Sequence, residues 1–227
     1  MSELVDYYRK RAVEYEEIYE WRDPSRQEEQ ELLETAIKAA LGGRRVLEVA
    51  CGTGYWTRVL SEAAESIVAT DLGEEVMELA KSKEYGCPVS FRKEDAYRLS
   101  FDDGSYDGGL AFSWLSHVPR HKIDGFLRGF HRVLQEGARI IIADNIYIPG
   151  VGGELIRREG DENTYKHRTL KDGSEFVIVK NYFSPQELTD IFAGHVEGFT
   201  EENVFYGRCF WYVDYELRKG RGDSYGG

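Results

Sequence analysis

From residue 46 the chain reads Val46-Leu47-Glu48-Val49-Ala50-Cys51-Gly52-Thr53-Gly54-Tyr55-Trp56-Thr57. Val46 to Val49 is an apolar run interrupted only by Glu48, the pattern of a buried strand. Gly52 and Gly54 follow at a spacing of two, so the backbone can turn tightly and come close to a ligand without Cβ atoms intervening. Trp56, Val59, Leu60, Ala63 and Ala64 then recur at helical spacing. Strand, glycine turn and helix together make the first unit of a nucleotide-binding α/β sheet, with the ligand expected at the start of the helix.

A dinucleotide is the first ligand to consider, but Thr57 stands where the third glycine of G-x-G-x-x-G belongs. Glu48 is also misplaced for a pyrophosphate site, whereas a cofactor bearing an amine and a sulfonium suits a carboxylate. A glycine-rich turn that binds nothing remains the plain structural alternative. The segment Glu48-Val49-Ala50-Cys51-Gly52-Thr53-Gly54 resembles the first motif, E/D-x-G-x-G-x-G, of the class I S-adenosylmethionine (SAM) methyltransferases, with Ala50 in place of the first glycine.

Further segments extend the resemblance. Ile67 to Asp71 reads as a second strand ending in a carboxylate, 17 positions after Gly54. A carboxylate there suits two vicinal ribose hydroxyls, and Leu72 then lies against the adenine. An ordinary surface aspartate at a strand end is the bland reading. As read from the sequence, the Asp71 carboxylate faces the cleft with no buried partner. Val89 to Arg92 reads as a third strand. After it, Asp95-Ala96 matches the family's acidic-small pair at the adenine, and Leu99 to Asp107 resembles its L-P-F-x-D-x-x-F-D segment, with Ser100 for proline. Gly108 to Ser113 forms a fourth strand, Ile123 to Leu134 a helix and Ala138 to Ala143 a fifth strand. The resemblance implies a Rossmann-like, doubly wound α/β sheet of seven strands with the last antiparallel. It also implies a cofactor set of Glu48, Ala50, Gly52, Gly54, Trp56, Asp71, Leu72, Asp95, Ala96 and Ser113.

Outside residues 44–144 the resemblance is one of general plan. Residues 4–19 form a helix with Val5, Tyr8, Ala12, Tyr15 and Tyr19 on one face, either packed on the domain or serving as a lid. As a lid it brings Tyr15 and Tyr19 to the cofactor and Trp21 to the acceptor, where aromatic faces attract a sulfonium. Pro24-Ser25 with Glu28 suggests a capping box for the helix that Gly42-Gly43 ends. Residues 145–183 exceed what the core needs, and Lys171-Asp172-Gly173-Ser174 marks a β-hairpin between Tyr165–Leu170 and Glu175–Lys180. This inserted hairpin carries Tyr147 and Arg168 toward the acceptor, with arginines able to hold a carboxylate or phosphate. A solvated charged hairpin explains the same residues. Ser184-Pro185-Gln186-Glu187 opens another helix, and Asn203 to Leu217 supplies the closing strands. The division is thus 1–43, 44–144, 145–183 and 184–217 within one domain, followed by a Gly-rich tail, 218–227.

Trp114 and His117 follow the fourth strand, at the ligand edge of such sheets. His117 is the candidate general base, though a structural or cofactor-facing histidine is the stronger reading. No metal is expected. The formal charge of −12 makes nucleic acid an improbable partner, because that affinity rests on Lys/Arg contacts to phosphates. No apolar run reaches the length of a membrane span and the N-terminus lacks a signal pattern. Three scattered cysteines read as thiols of a cytoplasmic protein. The expected function is methyl transfer from SAM, leaving S-adenosylhomocysteine, to O, N or S of a small-molecule substrate. A tRNA or protein methyltransferase and a non-catalytic nucleotide-binding domain are the alternatives. The sequence leaves the oligomeric state open.

Overall fold

The computed structural model describes residues 3–12, 14 and 23–218. Tyr15, Tyr19 and Trp21 lie outside the described residues. The first helix, α1, runs Glu3–Arg11, and Tyr7 is its buried side chain, while Val5 and Tyr8 are half-buried. Helix α2, Pro24–Leu41, is capped by Asp23, not Ser25: the Asp23 carboxylate accepts from Arg26 N at 3.0 Å, with Pro24 at the first helical position. An Asp immediately before Pro at N1 satisfies both demands of a helix start, so the Ser25/Glu28 pattern is not used.

The central sheet comprises β1 (Arg45–Val49), β2 (Ser66–Asp71), β3 (Val89–Lys93), β4 (Tyr106–Phe112) and β5 (Leu134–Asn145), and two closing strands. Helix α3 (Tyr55–Ser61) links β1 to β2, α4 (Glu74–Lys81) links β2 to β3, and α5 (Ile123–Arg132) links β4 to β5. Helix α4 is absent from the sequence reading; it is two turns long and buries only Val76, Met77 and Ala80. Within 145–183 the expected hairpin is present as β7 (Thr164–Thr169) and β8 (Glu175–Val179), and β6 (Leu155–Arg157) pairs with β7 to extend it to a three-stranded antiparallel sheet. Helix α6, Pro185–Ala193, starts with the expected Ser184/Glu187 capping box. The chain closes with β9 (Val204–Tyr206) and β10 (Phe210–Glu216).

The seven-stranded order is β3-β2-β1-β4-β5-β10-β9, with β1 parallel to β2 and β4, and β10 antiparallel to both neighbours. Strand alternation divides the core in two. Val46, Ile67, Leu110, Ile141 and Phe210 pack under α2 and α3. Leu47, Ala111, Ile140, Ile142, Trp211 and Val213 pack under α5 and α6. Because β2 and β4 flank β1 on opposite sides, the chain reverses its winding there, and a crevice opens beyond the carboxyl ends of those strands. Among the described residues no helix is long and apolar enough to cross a membrane.

Candidate active site

The backbone is most contorted at this crevice. Ala50 after β1 and Ser113 after β4 have φ of 54° and 53°, left-handed values uncommon for residues with a Cβ. Gly52 and Gly54 are left-handed as well. Gly54 caps α3 and admits no side chain, since a Cβ there would stand 2.9 Å from Ala80 Cβ. The crevice is a cleft of about 790 Å³, within the range of small-molecule sites.

One cleft gathers Ala50, Gly52, Asp71, Leu72, Asp95, Ala96, Ser113, Trp114 and His117. The half-buried Asp71 accepts Gly52 N at 2.9 Å on Oδ2 and Gly73 N at 2.8 Å on Oδ1. Its carboxylate therefore shapes the glycine loop as well as facing the cleft, which corrects the expectation that it lacks buried partners. Burial raises its pKa, and the Gly73 and Gly52 amides temper the rise. Leu72 is 38% exposed, an apolar surface left open inside the cleft. Asp95 Oδ1 accepts Tyr97 N at 2.9 Å. The Trp114 indole Nε1 is enclosed and has no hydrogen-bond partner.

Three expected cofactor residues stand behind the cleft wall. Trp56 is buried and stacks on Phe112 at 4.2 Å between ring centroids. Gly54 serves the turn into α3. Glu48 lies 1% exposed in β1, and its Oε2 has no hydrogen-bond partner. Burial raises the Glu48 pKa to about 7; the adjacent Thr57 hydroxyl opposes the rise without a directed hydrogen bond, and Asp71 adds to it. The folded protein thus binds a proton that the unfolded chain releases near pH 4.5. The contribution is fully present below that pH and is lost as pH rises toward 7. Glu48→Gln is therefore expected to match wild type in apo melting temperature near pH 4.5 and to exceed it by several degrees at pH 8. Parallel melts of the two proteins across that range check this, and a constant gap refutes it.

His117 is 5% exposed. Its Nδ1 stands 2.7 Å from Val179 O, which can only accept, so Nδ1 carries the proton and Nε2 accepts from the Tyr8 hydroxyl at 2.7 Å. Burial lowers its pKa well below the ordinary value, and nearby Lys180 lowers it further. Both nitrogens of this imidazole are therefore engaged, which leaves neither open toward the cleft in this arrangement. The sequence sets Tyr8 on a face of the first helix but gives no sign that its hydroxyl meets His117, 109 positions away.

Beside His117 lies a buried ion pair. Lys180 Nζ is 2.9 Å from Asp144 Oδ1 and 2.6 Å from Ser116 Oγ, and Asp144 Oδ2 accepts Ser116 N at 3.0 Å. Burial opposes the Asp144 charge, yet Lys180 and the Ser116 donors hold its pKa below the usual carboxylate value. Lys180 follows β8 in the inserted sheet and Asp144 belongs to β5, so the pair fastens the insert to the core. Arg158, Tyr165 and Val177–Val179 of that insert wall the cleft. Tyr147 and Arg168 do not; Tyr147 sits edge-on to Tyr182 at 5.2 Å, and Arg168 occupies the face of the insert turned to the protein interior.

A nucleotide-type crevice with an acidic residue at the end of β2 defines a cofactor-binding α/β fold. The family model for a methyltransferase domain matches residues 46–137. The chain is 30% identical over 184 residues to the O-methyltransferase rstn1 of Aspergillus nomiae, covering 75% of this chain and 81% of that protein. It is 31% identical to the O-methyltransferase cnsE of Penicillium expansum, over 55% of this chain and 49% of that one, so it spans about half the length of that relative. A solved structure, the DhpI–SAH complex, superposes with a TM-score of 0.70 at 25% identity, covering 96% of this chain and 97% of the other. The chain belongs to the class I SAM-dependent methyltransferases.

The residues present fit that cofactor. Paired carboxylate oxygens at Asp71, an open apolar face at Leu72 and the acid Asp95 in the cleft match ribose hydroxyls and an adenine in chemistry.

Proposed function

We propose that this chain transfers a methyl group from SAM to an oxygen, nitrogen or sulfur atom of a small-molecule acceptor in the cytoplasm. The observation that carries this reading is the gathering of Asp71, Leu72, Asp95 and Ala96 around one cleft beside the left-handed Gly52 turn. SAM supplies an electrophilic methyl group on a sulfonium. The chain's own contribution is to bind, orient and exclude water. Asp71 accepts the ribose hydroxyls, Leu72 covers the adenine, and Asp95 takes its amino group. Tyr8 of α1 and Val177–Val179 of the insert wall the acceptor side. His117 holds Tyr8 in place with both nitrogens engaged, so acceptors whose attacking atom needs no proton removed at neutral pH, such as an oxyanion, a thiolate or a neutral amine, suit the site best. The O-methyltransferase relatives support a small acceptor, and the net charge of −12 speaks against RNA.

SAM or S-adenosylhomocysteine, but not NAD, is expected to raise the melting temperature. A ligand at 100 times its Kd stabilises by about 2.7 kcal/mol, or roughly 5–10 °C at this size. Methyl transfer from labelled SAM to a metabolite panel, with bulk RNA as control, then identifies the acceptor. Stabilisation by NAD alone defeats the reading.

A further inference from the structure

The inner face of the inserted sheet carries more positive charge than its surroundings answer. The β7–β8 register pairs Lys166 with Ile178 and Arg168 with Phe176, which sets all four on one face. Phe176 and Ile178 pack with Tyr7 of α1, so this face points into the protein. Lys166 is 1% exposed. Its Nζ donates to Val151 O at 3.1 Å and Gly153 O at 2.7 Å and stands 5.0 Å from the centre of the Tyr147 ring. It forms no ion pair among the described residues. Arg168 makes neither a hydrogen bond nor an ion pair among them, and its Nε is enclosed without a partner. Its guanidinium lies across Gly152, where a Cβ would collide with Nη1. Lys166 and Arg168 therefore meet over the same 151–153 segment. Lys180, the third cation, has Asp144.

Three cations thus share one carboxylate in a chain whose net charge is −12. Their mutual repulsion is felt: burial lowers the Lys166 pKa, and Arg168 and Lys180 lower it further. Enclosed charge without a counter-charge is costly, and a planar guanidinium beside an ammonium is the arrangement that grips an oxyanion. The rings of Tyr147 and Tyr182 flank the place, and Tyr147, 38% exposed, is its solvent-side cover. Through Lys180 and Ser116 the face adjoins His117 on the cleft wall.

We propose that Arg168 and Lys166 form the seat for an anionic group of the acceptor, a carboxylate or a phosphoryl oxyanion, which anchors the acceptor with its reacting atom toward the cleft. This rests on the small-molecule methyltransferase reading and names its substrate class. Titrations of the full chain with inorganic phosphate, benzoate and chloride at equal ionic strength test it, in wild type, Arg168→Met, Lys166→Met and Arg168→Lys. Phosphate or benzoate is expected to stabilise wild type beyond chloride, and the tighter of the two names the acid. Each methionine variant should bind that anion about tenfold more weakly or worse. Arg168→Lys should keep part of the affinity, and Arg168→Met should melt without ligand at or above the wild-type temperature, since an unpaired charge has been removed. No anion-specific stabilisation of wild type, or equal anion affinity in the methionine variants, overturns the proposal. S-adenosylhomocysteine titrated into the same samples reads the parent assignment separately. Intact cofactor affinity with lost anion affinity supports the seat, whereas anion binding without cofactor binding overturns the methyltransferase reading and leaves the seat standing.

Discussion

Asp144→Ala is expected to melt roughly 6–20 °C below wild type. Removing one partner of a buried ion pair costs about 3–5 kcal/mol because the other charge is left enclosed, and each kcal/mol moves the melting point by about 2–4 °C at this size. Here the stranded charge is Lys180, 4% exposed, and Ser116 N and Asn145 N lose their acceptor as well. Asp144→Ala combined with Lys180→Met should recover most of the loss, since both charges leave together and the stem volume of Lys180 is kept. Thermal melts of the two single variants and the double variant measure this coupling. Strict additivity of the single losses shows that the two side chains do not act as a pair.

Asp71→Ala has two expected effects, of which the one on binding is larger. Loss of charge-assisted hydrogen bonding to the ribose hydroxyls, worth about 1.5–3 kcal/mol in all, is expected to raise the Kd of S-adenosylhomocysteine about 10- to 150-fold. The apo protein also loses stability, because Gly52 N and Gly73 N are left without the acceptor they use. That second loss is about 1–3 kcal/mol, toward the lower end where water entering the cleft can replace the carboxylate. Calorimetric titration beside an apo melt separates the two. An unchanged Kd means the ribose is held by other groups.

The central strands, the glycine turn and Asp71 were legible from residue order because each depends on near neighbours: apolar alternation, a left-handed turn, a carboxylate ending a strand. The Ser184 cap was legible for the same reason. Ser25 and Glu28 have the familiar capping-box spacing, but Asp23-Pro24 already meets both needs of the helix start. Helix α4 left too short an apolar stripe to read, and β6 contributes only three residues to its sheet. Glu48 stood out in the sequence as chemically odd, but its place behind the cleft wall follows from the sheet's alternation across β1. The pairings that decide the acceptor side join residues far apart. Tyr8 meets His117, and Lys180 meets Asp144 across 36 positions. A charged residue in an insert reads as solvated until the fold turns it inward, as with Lys166.

Helix α1 lines the cleft with Leu4, Val5 and Tyr8, and its tethers run mainly to the insert and the loop behind it. Glu3 accepts Val177 N at 3.0 Å, Lys10 reaches Ser174, and Tyr8 is bonded to His117. Each hydrogen bond is weak alone, but Tyr7, 1% exposed against Phe176 and Ile178, adds an apolar anchor to the same insert. Because Leu4, Val5 and Tyr8 form that wall of the cleft, any displacement of the amino-terminal helix would widen the cleft on the same side. The residence time of a ligand beneath Tyr8 is then expected to follow how firmly the insert holds that helix, a property of residues such as Tyr7 and Phe176 that lie outside the cleft lining.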